Sequence, residues 1–409
     1  MDCRRSAEMS AQPQPFSSAK TGFPEAVAAA IERVVRRAHG QHIGLHEPHF
    51  GGNEWRYVKE CIDTGWVSTA GAYVGRFEQM LTGITGAKHA VAIVNGTAAL
   101  HLSLLLAGVQ RGDEVLVPAL TFIATANAVV YCGAVPHFVD SSLINLGVDP
   151  GKLEAHLAQV GEMRGGRCFN RRSGARIAAI VSMHVFGLPV DMDALIAVCA
   201  PRGIVVVEDA AESLGSYYKG RHTGNAGLLA ALSFNGNKVV TTGGGGAILT
   251  NDDALAARAK HLSTTARVAH EWSFIHDEVG YNYRMPNLNA ALGCAQLEQL
   301  PDFLKQKRAT AASYRSAFAG IAGVRVLSDP PWGESNYWLN AILLEGVYAQ
   351  CRDELLALTN AAGLMTRPVW TLMHRLSMYA ACPRMDLTAA EDIESRLINL
   401  PSSAVLGAA

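Results

Sequence analysis

One lysine, Lys238, stands in the stretch SFNGNKVVTTGGGG between a small polar run and four consecutive glycines, Gly243 to Gly246. Glycine lets a backbone take positive φ angles and approach a bound group closely, so the setting favours a lysine turned to a ligand over a solvated charge. A nucleotide-triphosphate loop is excluded by order, because that motif places glycines before the lysine and Ser or Thr directly after it, whereas Val239 follows here. What remains for this amine is condensation with an aldehyde.

Pyridoxal 5′-phosphate (PLP) is the usual aldehyde, and it makes two further demands on a protein. Its pyridine nitrogen needs a buried carboxylate to stay protonated. The β-branched run Ile204 to Val207 ends in Glu208, Asp209, Ala210, Ala211 and Glu212, which puts carboxylates at the C-terminal end of a buried strand, the edge where open α/β sheets bind ligands. Side chains alternate along a strand, so only one of Glu208 and Asp209 faces the ligand, and a helical turn would set Asp209 and Glu212 on one face. Taken without PLP, these acids read as a helix N-terminus favoured by its dipole. The phosphate needs a cradle, and VNGTAA supplies a strand, a glycine turn and a helix start in which Thr97 is expected near the N-cap and the N–H groups of Gly96, Thr97 and Ala98 face an anion. Ser233 adds a hydroxyl donor, and Phe122, just past a strand, is placed to stack on the ring.

Alternating elements must position these groups. Strands are expected at 90–94, 114–118, 135–140, 177–183 and 204–207, with helices at 97–107, 124–132, 152–159 and 193–200, a pattern that implies a mostly parallel sheet flanked by helices. Residues 161–176 are polar and basic and read as a solvated surface excursion. A flexible arm is expected over 1–22, a helix over 24–38, a second helix from near Asn53, and a long helix over 287–318 followed by strands near 324–327 and 338–344. The expected division is an N-terminal arm and helix over 1–45, a large α/β domain over 46–264 and a smaller C-terminal α+β domain over 265–409.

Composition narrows the function classes. The 409 residues are 49% hydrophobic, enough for a large core, and 35 Lys plus Arg against 36 Asp plus Glu leave a net charge of -1. Nothing in that balance attracts nucleic acid or an anionic membrane. The 8 cysteines form no CxxC, so neither a disulfide framework nor a zinc site is expected, and a reducing compartment fits best. The first twenty residues hold no apolar segment of signal-sequence length, so a cytoplasmic location is expected. The apolar stretch 115–139 is broken by Pro118, Thr121, Thr125, Asn127 and Pro136 and reads as core.

Over nearly all of residues 43–403 the chain resembles the DegT-type, PLP-dependent sugar aminotransferases of fold type I. The stretches that carry the likeness are WVSTAG, NGTAALHLSL, VPALTFIATANAV, MHVFGLPVDMD, VVVEDAAESLGSYYKGRHTG, LSFNGNK, GGGGAI, GYNYRMPNLNAALG and TRPVW. The resemblance implies that Lys238 carries the cofactor as a Schiff base, that Asp209 pairs with the pyridine nitrogen, that Gly96, Thr97, Ala98 and Ser233 hold the phosphate, and that Phe122 stacks on the ring. Glu212 falls where the family usually has Gln or His near the cofactor. A homodimer with shared sites is also implied, with Asn282 and Arg284 of GYNYRM entering the neighbouring subunit's site. NGNKVVTTGGGG, HEPHFGGNEW and HEWSFIHDEVGYNYR resemble the branch that acts on UDP-linked 4-keto-6-deoxy-N-acetylhexosamine, in bacillosamine and legionaminic-acid type pathways.

The expected reaction is therefore transfer of an amino group from glutamate to such a UDP-sugar ketone; the alternative is a GDP-perosamine or dTDP-amino-sugar type of acceptor. A sugar dehydratase of the same fold would carry histidine in place of Lys238. A regulatory protein on this fold would need a DNA-binding unit, and the 1–22 arm shows no helix-turn-helix. Thr69, His184, His270, Trp272, His276, Asp277 and Arg367 are candidates for the sugar pocket, each balanced against a packing or solvated role.

Overall fold

The computed structural model describes residues 22–35 and 41–407. The arm expected over 1–22 lies, but for its last residue, outside the described residues, and so does the end of the expected first helix. A seven-stranded sheet forms the centre, in the spatial order His89–Ile93, Gly246–Thr250, Leu229–Ser233, Val205–Asp209, Ile177–Met183, Glu114–Pro118 and Val135–Val139. The strand Gly246–Thr250 runs antiparallel to both neighbours, while the other contacts are parallel. Several strands are buried along their whole length, such as EVLVP and GAILT, because helices cover both faces.

Reversing that one strand has a consequence for the site. The strands His89–Ile93, Leu229–Ser233, Val205–Asp209, Ile177–Met183 and Glu114–Pro118 all end at the same edge, and the loops leaving them meet there. Asp149, Asp191 and Asp252 cap three of the covering helices by accepting the N–H of Lys152, Ala194 and Leu255.

A second, four-stranded sheet takes the order Val324–Val326, Asn340–Leu344, Leu397–Leu400 and Arg367–Pro368, all antiparallel. The helix Phe23–Val35 packs on it, and Val27, Ile31, Ile342, Leu344, Leu355 and Ile398 share one apolar cluster. The 32-residue helix Asn287–Phe318 serves both cores. Ala290 to Leu304 pack against the main sheet's cluster, and Tyr314 and Phe318 against the smaller one.

Residues 161–176 are not a plain solvated excursion. They form a hairpin of Gly161–Arg164 and Arg167–Asn170, and Asn170 and Ser173 reach back to hydrogen-bond the buried carboxylate of Glu114. Charge along the segment hid these inward contacts.

Candidate active site

The shared strand edge opens into a cavity of about 320 Å³ lined by Asn95, Gly96, Thr97, Phe122, Asp209, Glu212, Ser233 and Lys238, together with Met183, Asn237, Trp338 and Trp370. Lys238 sits in the connection from Ser233 to Gly246, whose ends are paired residues of adjacent antiparallel strands. Phe234 N–H to Gly245 O and Thr242 N–H to Phe234 O close the base of this loop, and Asn289 of the long helix donates to the carbonyls of Thr242 and Gly244. Of the four glycines only Gly243 has positive φ, +77°. Gly246 serves close approach instead: a Cβ there would lie 2.5 Å from the Asn95 carbonyl carbon.

That approach builds the anion end of the cavity. Asn95 is the N-cap of the helix Gly96–Leu106, and its side chain accepts the Ala98 N–H at 2.8 Å. The expectation of an N-cap near Thr97 is corrected accordingly, and Ala98 is removed from the cradle because its N–H is already held. The N–H groups of Gly96 and Thr97 have no acceptor within the helix and stand at its positive end. An added Cβ on Gly96 would lie 2.9 Å from Ser233 Cβ, so only glycine lets the Ser233 hydroxyl join the same corner.

The other end is acidic. Asp209 is buried at the last position of its strand, accepting the Thr125 hydroxyl at 2.7 Å and the Ala211 N–H at 3.2 Å. Burial raises its pKa above the ordinary carboxyl value, opposed by those two donors and by Lys238. A cation brought against Asp209 relieves that penalty. In the parallel register Ala231 stands beside Asp209, which places Ser233 about 7 Å further along the strand direction. Glu208 points the opposite way, into the core, where it accepts His184 Nε2–H at 2.9 Å and the N–H groups of Gly224, Ala226 and Gly227.

Between the two ends lies the amine. Lys238 Nζ is 3.2 Å from Glu212 Oε1 and 3.9 Å from the centre of the Trp338 ring, a carboxyl and a π face on one ammonium. Burial pushes Glu212 up to about 7, with Lys238 and the Phe186 N–H pulling the other way. Phe122, 49% exposed, meets Trp370 edge-on at 6.2 Å between ring centres.

The remaining candidates are placed elsewhere. His184 is fully buried between Glu208 and the Val190 N–H, so it is a core histidine and not a sugar contact. His270 accepts the N–H groups of Trp272 and Ser273 in an exposed turn, and His276 pairs with the Thr265 carbonyl; the pair Arg267–Val268 and Ile275–His276 forms a hairpin off this chain's cavity. Asp277 pairs with His261. Thr69 lies in a loop pinned to the long helix through Trp66 O and Ser68 O on Asn287, also away from the cavity. Arg367 lines an adjoining groove with His46 and Asn399, and that groove shares Asn237, Trp338 and Trp370 with the cavity. Asn282 and Arg284 do not line this chain's cavity; Arg284 bridges to Ile93 and its buried Nε has no hydrogen-bond partner.

Sequence reasoning missed Asn95, Asn237, Trp338 and Trp370. Asn95 carried the signal of an Asn directly before a helix start. Trp370 stood in the quoted TRPVW, three residues past Arg367. Trp338 lies just before Asn340–Leu344, an inner strand of the small sheet, and no local pattern points from there to Lys238.

The sheet, the anion-ready helix start, the buried carboxyl and the amine between them are those of a PLP-dependent aminotransferase. The chain belongs to the DegT/DnrJ/EryC1/StrS aminotransferase family, which it matches over residues 48–409, and enzymes of this family use PLP. It is 38% identical to the GDP-perosamine synthase of Caulobacter vibrioides over 89% of this chain and 94% of that one. The GDP-perosamine synthase of Escherichia coli O157:H7 is 37% identical over 88% and 93% of the two chains. Among solved structures, the aminotransferase TlmJ from Streptoalloteichus hindustanus superposes with a TM-score of 0.79 at 27% identity, over 88% of this chain and 94% of that one. Among the described residues no helix is long and apolar enough to cross a membrane.

Proposed function

We propose that this enzyme transfers an amino group from glutamate to a GDP-linked 4-keto-6-deoxyhexose, for the building of a surface polysaccharide. The observation that carries the nucleotide is the likeness to GDP-perosamine synthases along nearly their whole length. It favours the alternative acceptor over the UDP-linked N-acetylhexosamine, whose support is the resemblance of NGNKVVTTGGGG and HEWSFIHD to another branch. The second of those stretches lies off the cavity of its own chain.

PLP fits the residues present, and when bound it supplies the electron sink that lets a substrate C–H bond ionise. Gly96, Thr97 and Ser233 would hold its phosphate, Asp209 would hold the proton on the ring nitrogen, and Phe122 is available to pack against the ring. Lys238 would anchor the cofactor covalently through its amine, and the same amine, once free, is placed to take up and return a proton. Trp338 and Trp370 exclude water and meet the sugar. The reading extends to a homodimer in which Asn282 and Arg284 complete the partner's site.

Two measurements test it. Borohydride treatment of the yellow holoenzyme followed by peptide mapping should place the reduced cofactor on Lys238, and a label elsewhere would overturn the site. In a panel of GDP-, UDP- and dTDP-linked 4-keto-6-deoxy sugars with glutamate, the GDP sugar should give the highest kcat/KM. Tenfold better turnover of the UDP-linked 2-acetamido ketone would restore the other branch and leave the chemistry standing.

A further inference from the structure

Glu212 is built into the site with more structure than a bystander needs. Its Oε1 is 3.2 Å from Lys238 Nζ, and its Oε2 accepts the Phe186 N–H at 2.9 Å. Phe186 holds that N–H in place from a left-handed conformation, φ 55° and ψ 15°, which a bulky residue adopts only where its surroundings force it. The surroundings are Ser216, whose hydroxyl donates to Gly187 O, and Asn336, whose backbone N–H donates to Ser216 Oγ and whose side-chain amide donates to the carbonyls of Glu212 and Leu214. A strained turn and a buried amide thus fix one carboxyl against one amine.

The other charged and titratable groups facing this pair are few. Asp209 comes from its strand end, and His46 from the segment leading into the large sheet, its pKa lowered well below the ordinary value by burial first and then by Lys307 and Lys238. Lys307, behind Trp338, spends its hydrogen bonds on the carbonyls of Trp338 and Ser402. Neither Asp209 nor His46 is hydrogen-bonded to the amine, so among the described residues a proton leaving Nζ has one protein acceptor in direct contact, Glu212.

We propose that Glu212 is that acceptor, taking the proton from Lys238 each time the lysine must become a nucleophile. The Nζ–H bond breaks, its electron pair stays on nitrogen, and the proton moves to Oε1, so a buried ion pair becomes a neutral acid beside a neutral amine. Burial favours this exchange, because it removes two charges from an apolar wall. Nitrogen then holds the lone pair it would need to condense with the cofactor's aldehyde, whose oxygen would leave as water, and Glu212 can return the proton when the lysine is displaced. Catalysis by Lys238 itself is untouched by this assignment, which rests on the reading of Lys238 as the attachment residue; the borohydride mapping tests that reading separately.

The experiment follows covalent attachment of PLP to apoenzyme by its visible absorbance, in stopped flow, from pH 5.5 to pH 9, in the wild type and in Glu212→Gln. Glutamine keeps the size of the side chain and an oxygen for the Phe186 N–H. The wild-type rate should rise through a limb near pH 7, where Glu212 becomes able to accept a proton. In Glu212→Gln that limb should disappear and the rate near pH 8 should fall at least tenfold, while Glu212→Asp should restore part of both. The PLP dissociation constant, read separately by protein fluorescence at pH 6, should change less than threefold in either variant. A Glu212→Gln enzyme that keeps the limb would overturn the proposal, even if slower at every pH, since that is the signature of a carboxyl that only shapes the turn.

Discussion

At the residue scale, burial does most of the chemistry. Asp209 and Glu212 are both buried carboxyls whose pKa values burial raises, yet they differ in what stands opposite: two hydrogen-bond donors hold Asp209, while an amine faces Glu212. Replacing Asp209 by Asn keeps the shape and the Thr125 contact but removes the charge that, on the proposed reading, would hold a ring-nitrogen proton. We expect Asp209→Asn to fold with an unchanged circular dichroism spectrum and to lose about 2 kcal/mol of transition-state stabilisation, roughly thirtyfold in kcat/KM. Near wild-type turnover would assign Asp209 a structural role. Lys238 and Asp209 were legible in the sequence because their neighbours, a glycine run and a β-branched strand end, are local. The ammonium's contact with Trp338 was not, since the two are a hundred positions apart and meet only through packing.

At the scale of elements, the cavity is a product of where strands end and where a helix begins. The pairing of Ser233 with Gly246, and of Gly246 with Ile93, brings the lysine loop against the start of the helix Gly96–Leu106. Gly96→Ala tests this directly. Its methyl would press on Ser233, so PLP affinity of the apoenzyme should fall by roughly tenfold, about 1.4 kcal/mol, in a fluorescence titration. Unchanged affinity would move the anion site elsewhere. Strand and helix positions in the sheet were readable from periodicity, often to within one residue, because buried parallel strands and their covering helices write their burial into local pattern. The strand Gly246–Thr250 was hidden because it begins on the last of four consecutive glycines. Thr97 was read as the cap when Asn95 performs it, because both are good caps and only the φ/ψ break decides.

At the scale of the whole molecule, one chain leaves groups that a second chain could cover. Arg284 is half-buried with its Nε unpaired, and Trp55, Trp272 and Phe274 are each more than 70% exposed, a cost that a covered surface would remove. If sites are shared, mixing inactive Lys238→Ala and inactive Arg284→Ala chains should regenerate one intact site per mixed dimer and up to about a quarter of wild-type activity when mixing is random. Confirmed mixed dimers without recovery would place Arg284 outside the partner's site. The helix Asn287–Phe318 was legible end to end, but its service to two cores was not, since its apolar positions are spread around it. The loop from Ser233 to Gly246 carries one further implication. On the proposed reading it carries both the cofactor's anion contact, Ser233, and its attachment point, Lys238, within six residues, whereas the aromatic walls of the cavity, Trp338 and Trp370, come from remote segments of the chain. That reading would set reaction type and substrate choice on separate pieces of sequence, so that drift or design could exchange the sugar without renegotiating the chemistry.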